Sequence, residues 1–201
     1  MAVAKKAPGT ARVRGEARLE SIRRVVLELV AERGIEGVTI DAIAVAAQTS
    51  KQTLYNRWPT KADLVRDAVR LSFDGATPGD PGDLGSLREE LRLILESAAE
   101  MLRTNRRLII ALVDGAQRDE TIMSIMRQDT REAYREVLQR PFKRAIARGE
   151  IGPMTDLNLV SDIALPLLLH RAMWGELIDD RVVAGLLDNV ILRLAATPSE
   201  R

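Results

Sequence analysis

The residues whose types and spacing best suit chemistry are Lys51, Gln52 and Thr53, three polar side chains in succession behind a helix-capping Ser50. Their donors and acceptors match the edges of base pairs. Gln52 can pair bidentately with adenine, Lys51 can meet guanine, and Thr53 offers a hydroxyl to a base or phosphate and a methyl to thymine. Thr39, Tyr55 and Lys61 are short-reach or cationic donors near helix starts, suited to phosphates, where contacts fix register without reading sequence. Asn56 joins them as a further DNA-binding candidate.

Enzymatic chemistry finds less to work with. The chain has no cysteine, which excludes a disulfide framework, a thiolate nucleophile and a zinc site built on sulfur. His170 is the only histidine, and no serine sits in a nucleophile setting. The Glu-x-x-His motif of di-iron bundles would need a glutamate where Leu167 stands. There is no phosphate loop and no dinucleotide fingerprint. No catalytic residue, metal site or cofactor is expected.

Charge points to a partner. The net charge of +1 conceals thirteen basic against eight acidic residues in 1–70, a balance of +5, and −4 in the remainder. A basic front on a near-neutral back suits a nucleic-acid reader with a separate second domain. The N-terminus lacks the apolar stretch of a signal peptide, and apolar runs such as Ile163 to Leu169 fall short of the roughly 20 residues that cross a bilayer. A soluble cytoplasmic protein with no membrane partner is expected.

The elements that must position these residues are helical. Leu19, Ile22, Val26, Leu29 and Val30 make one apolar stripe, ended by Gly34. Thr39 caps a short helix to about Ala47, with Val38 packing on Ile43 as a staple. Ser50 opens the next, Pro59 breaks it, and Thr60 caps a fourth that runs to about Ser72. Short helices with a tight turn between the second and third form a helix-turn-helix, its core being Leu29, Ile40, Ile43, Leu54 and Trp58. Arg18, Arg23 and Arg24 on the first helix read as a solvated face, with a DNA surface as the alternative.

Four segments follow: a flexible basic arm over 1–14, the helix-turn-helix domain over 15–73, a linker over 74–86 and a helical domain over 87–201. The arm either enters a minor groove or is a solubilising tail. Six of the thirteen linker residues are Gly or Pro. Beyond it, helices are expected near 86–104, 105–117, 119–148, 156–174 and 179–195, with Pro141 and Pro166 kinking them or shifting their ends. No segment alternates with period two, so the fold class is all-α, with about nine helices in total.

The run from Thr39 to Ala47 (TIDAIAVAA) and that from Ser50 to Leu64 (SKQTLYNRWPTKADL) resemble the DNA-binding domain of the tetracycline-repressor (TetR) family over about residues 16–66. The resemblance implies a dimer whose recognition helices enter successive major grooves of double-stranded DNA, and a C-terminal domain that binds a small inducer. By position, Thr39, Tyr55 and Lys61 would contact phosphates and Lys51, Gln52 and Thr53 would face bases. The expected function is a sequence-specific regulator, a repressor released from a palindromic operator by a small hydrophobic ligand. A ligand-dependent activator and a helical adaptor without DNA binding are the alternatives. The family usually has Gly-Val in the turn where this chain has Gln48-Thr49. A left-handed Gln48 would carry strain of about 1–3 kcal/mol.

For the inducer pocket the candidates are Tyr134, Phe142, His170, Met173 and Trp174, aromatic or polar residues inside apolar helical runs; each also reads as ordinary core. The last two helices have broad apolar faces, Leu157 to Leu168 in one and Val183 to Leu194 in the other. Paired with symmetry mates they would make a four-helix homodimer interface, and the alternative is that they pack within their own domain.

Overall fold

A computed structural model describes residues 9–74, 78–152 and 157–196, and among these there is no strand. In the head, α1 (Gly9–Gly37) is followed by α2 (Ile40–Ala46), α3 (Lys51–Arg57) and α4 (Lys61–Asp74). The second part holds α5 (Leu87–Thr104), α6 (Arg106–Ala116), α7 (Glu120–Ile125), α8 (Glu132–Arg148), α9 (Leu157–Trp174), α10 (Asp180–Leu186) and α11 (Leu192–Ala196). Two π-helical turns, Met126–Arg131 and Leu187–Ile191, join α7 to α8 and α10 to α11. With each joined pair counted as one helix, the described residues form nine.

The caps fall where side-chain chemistry puts them. Thr39 accepts from the Ala42 amide at 3.1 Å and Ser50 from the Thr53 amide at 3.1 Å, each satisfying an orphan donor of a first turn. Thr60 and Asp63 cap α4 reciprocally. Gly34, at φ 71°, kinks α1 instead of ending it, and the helical run continues to Gly37. The arm expected over 1–14 is helical from Gly9, since Ala and Arg favour helix and no proline intervenes; residues 1–8 lie outside the described ones. Pro141 and Pro166 both stay inside helices, α8 and α9, and end neither.

Two apolar cores organise the molecule. One joins the head to the second part: Ile22, Val26, Val30, Ile43, Leu54, Trp58 and Leu64 pack with Leu108, Leu112 and Ala116 of α6 and Ile122 of α7. The other is formed by α5, α8, α9, α10 and the turn after it. Helix α6 serves both, because Ile109 belongs to the second core and Leu112 to the first. At Gly115 a Cβ would stand 2.3 Å from Ile35 Cδ1, so glycine permits the close approach of α6 to the end of α1.

The Gly/Pro-rich segment is clasped over 80–85. Asp80 accepts from both terminal nitrogens of Arg144 at 2.9 and 2.7 Å, and Asp83 accepts from Arg148 at 2.6 Å. Glu90, fully buried, accepts from Arg144 Nε at 2.8 Å and Arg148 at 3.0 Å. The glycines supply left-handed turns there, Gly82 at φ 81° and Gly85 at φ 76°. Turn chemistry and slack linkers share one composition, which is why the sequence reads as a tether.

Candidate nucleic-acid interface

Helix α3 is held by one side chain. Leu54 is its only buried residue, packed in the head core, and Lys51, Gln52, Thr53, Tyr55, Asn56 and Arg57 all face outward. Trp58 seals its C-terminal end. The indole Nε1 donates to Asp67 Oδ2 of α4 at 2.8 Å, and Arg23 Nε of α1 donates to the same oxygen at 2.9 Å. Asp67 therefore ties α1, the end of α3 and α4 together, and Arg23 is a buried strut, not part of a solvated face. Arg24 is exposed, as expected.

The outward residues are partly paired among themselves. Gln52 Nε2 donates to Asn56 Oδ1 at 2.8 Å one turn on, and the Ser50 and Thr53 hydroxyls lie 2.8 Å apart. Lys51 Nζ stands 2.5 Å from Asp41 Oδ1 of α2, and the hydrogen bond to that carboxylate raises the lysine pKa. Lys51 is thus a full cation, already paired with Asp41. Tyr55 is 48% exposed, with its ring on the same surface. Lys61 Nζ donates to the Ile35 carbonyl at 3.1 Å, capping the chain after the α1 kink and leaving two protons for a phosphate. All seven DNA-binding candidates lie on the head, with Thr39 exposed at the start of α2.

The inducer candidates do not come together. Tyr134 and Phe142 are buried in the second core. The Tyr134 hydroxyl has no hydrogen-bond partner, and burial pushes its pKa up, so it stays a neutral donor. His170, Met173 and Trp174 sit outside on α9, Trp174 being 73% exposed, with the His170 and Trp174 rings 6.2 Å apart. Sequence reading missed a hollow of about 290 Å³ between α6, α7 and the π turn after it, lined by Val113, Ala116, Met123 and Met126 with Gln117, Arg127 and Arg131. No periodic pattern marks it, because its wall is a π turn whose register departs from 3.6 residues.

Two family models match the chain: "Bacterial regulatory proteins, tetR family" over residues 22–68 and "Tetracyclin repressor-like, C-terminal domain" over residues 81–190. The second alone spans more than half of the sequence. The chain belongs to the TetR family of transcriptional regulators. A TetR-family relative from Mycobacteroides abscessus, described as a DNA-binding transcriptional repressor, is 31% identical over 90% of this chain and 95% of its own. Among solved structures, a TetR-family regulator from Rhodococcus sp. has a TM-score of 0.73 at 21% identity, covering 90% of this chain and all of that one. The TetR-family regulator PfmR from Thermus thermophilus has a TM-score of 0.67 at 21% identity, covering 90% of this chain and 99% of its own. At those identities the two structures speak for the fold. Membership of the family makes this chain a DNA-binding regulator and not an enzyme.

Proposed function

We propose that this TetR-family protein is a dimeric repressor that leaves a palindromic operator when a small hydrophobic ligand enters its second domain. The observation that carries the DNA half is α3, of whose residues Leu54 alone is buried while Lys51, Gln52, Thr53, Tyr55 and Asn56 are exposed. The sign of regulation rests on the Mycobacteroides abscessus relative, described as a repressor. Among the described residues no helix is long and apolar enough to cross a membrane, in keeping with a cytoplasmic site of action on DNA.

Support for a dimer through the last two helices comes from what α9 and α11 leave outside. Leu159, Leu167, Met173 and Trp174 of α9 and Leu194 of α11 are exposed, a cost that a second copy packed against them would remove. On this reading His170, Met173 and Trp174 belong to the dimer face. The ligand site is the hollow under the π turn: apolar walls with adaptable Met123 and Met126, and Arg127 to orient an acidic group, Arg131 being held by Asp162 at 3.0 Å. Because α7 and the π turn pack against α4, a filled hollow displaces the head by linkage.

The test is selection of bound duplexes from a random DNA library at low salt, with the native chain and with a Lys51→Glu, Lys61→Glu variant. A palindromic consensus that the variant loses is expected. A consensus that survives both substitutions, or no enrichment with or without cell extract, overturns the reading.

A further inference from the structure

We propose that Arg18 positions the recognition helix by clasping the left-handed turn at Gln48, so that DNA affinity depends on a side chain that touches no DNA. The proposal rests on the DNA-reading role of α3 given above. Gln48 is the one non-glycine residue with positive φ among the described residues, at 49°. Around it the end of α2 closes with two bonds, Thr49 N–H to the Ala44 carbonyl at 2.9 Å and Gln48 N–H to the Val45 carbonyl at 3.1 Å. That is the helix ending in which glycine usually occupies the left-handed position. A side chain there is strained, and opening the turn would relieve that strain.

Arg18 opposes the opening from α1. Its Nη2 donates to the Ala47 carbonyl at 2.9 Å and to the Gln48 carbonyl at 2.7 Å, bridging the two peptide groups on either side of the strained residue. These carbonyls lie at the negative end of the α2 dipole, where a guanidinium bonds with charge assistance. Helix α3 begins at Lys51, three residues beyond Gln48, so relaxation of the turn re-aims every DNA-facing residue on it. Arg18 is on the exposed face of α1, which leaves a direct phosphate contact as the competing role.

The two roles separate in experiment. Amide exchange is followed in the free full-length protein, and affinity is measured on the duplex that the library selection yields, for Arg18→Ala, Gln48→Gly and the double variant. With the clasp removed, exchange at Thr49 speeds up about tenfold while the core amides of Val26 in α1 and Val65 in α4 keep their rates, and affinity falls about tenfold. The slope of affinity against salt stays unchanged, since no phosphate contact is lost. Gln48→Gly restores most of the affinity in the Arg18→Ala background, because glycine holds a positive φ unaided. Three results would each overturn the proposal: unchanged exchange at Thr49, an equal loss on Arg18→Ala in the glycine background, or a salt slope reduced by about one. The exchange arm needs no DNA, so its outcome stands even if the DNA-reading role of α3 fails.

Discussion

On α3, Gln52 and Asn56 lie one turn apart, and the proposed base reading by Gln52 has to start from the 2.8 Å bond between them. With its amide nitrogen held by Asn56, Gln52 is oriented before DNA arrives and spends less rotamer entropy on binding. Tyr55 has no such reader's geometry; its hydroxyl suits a phosphate, common to every sequence. Gln52→Ala is therefore expected to change base preference at one position of each half-site, by about 1–3 kcal/mol of discrimination. Tyr55→Phe weakens binding to all sequences alike. Competition binding with single-base variants of the selected duplex checks both, and a preference untouched by Gln52→Ala means that a different residue of α3 faces that base. Lys51 has first to leave Asp41, and because that pair is exposed and screened by water the exchange costs little.

Between elements, α6 is the part that feels both cores. Its Gly115 meets Ile35 just past the α1 kink, and a larger side chain there must displace Ile35 or part the two helices. Gly115→Val is expected to lower stability by about 1–3 kcal/mol in urea unfolding through overpacking, and to weaken the effect of a bound ligand on DNA affinity. A variant of native stability would show that α1 and α6 have slack at this contact. The first four helices were legible in the sequence because their signals are local: Thr39, Ser50 and Thr60 cap, and Ile22, Val26 and Val30 repeat on one face. Arg18 was not legible, because a side chain that bonds carbonyls some 30 residues away leaves no periodic trace. Nor was the outward face of α9. That helix is apolar nearly all round, so His170, Met173 and Trp174 looked like interior exceptions although they lie outside.

At the scale of the whole molecule, charge fixes residues 80–85 before α5, and exposed apolar surface underlies the proposed dimer. Arg144 holds the Asp80 carboxyl below the usual carboxylate range, and the Gly85 amide, then Arg148, do the same for Asp83. A carboxylate whose pKa is depressed by folding stabilises the fold above its unfolded value and loses that contribution as protons return. Stability is therefore expected to be level above about pH 5 and to fall progressively below about pH 4, followed by thermal melting across that range. The buried Glu90 is held by the same arginines, and Glu90→Ala, which removes their shared partner while Asp80 and Asp83 still pair them, should lower the melting temperature at neutral pH.

Leu159, Leu167 and Trp174 recur along α9 at spacings that keep them near one side of the helix, and all are exposed in the single chain. A symmetric dimer must place the same patch on both copies, so one substitution acts twice. Leu167→Glu with Trp174→Glu sets like charges against each other across the axis and should give a monomer by analytical ultracentrifugation. Both positions face outward, so the helical content should hold. Each freed head then meets one half-site, and affinity for the full palindrome falls towards that of a half-site as the effective concentration of the second head is lost. If the variant stays a dimer, the copies meet through another face; if it is monomeric yet binds the palindrome as tightly, the two heads do not act together on DNA.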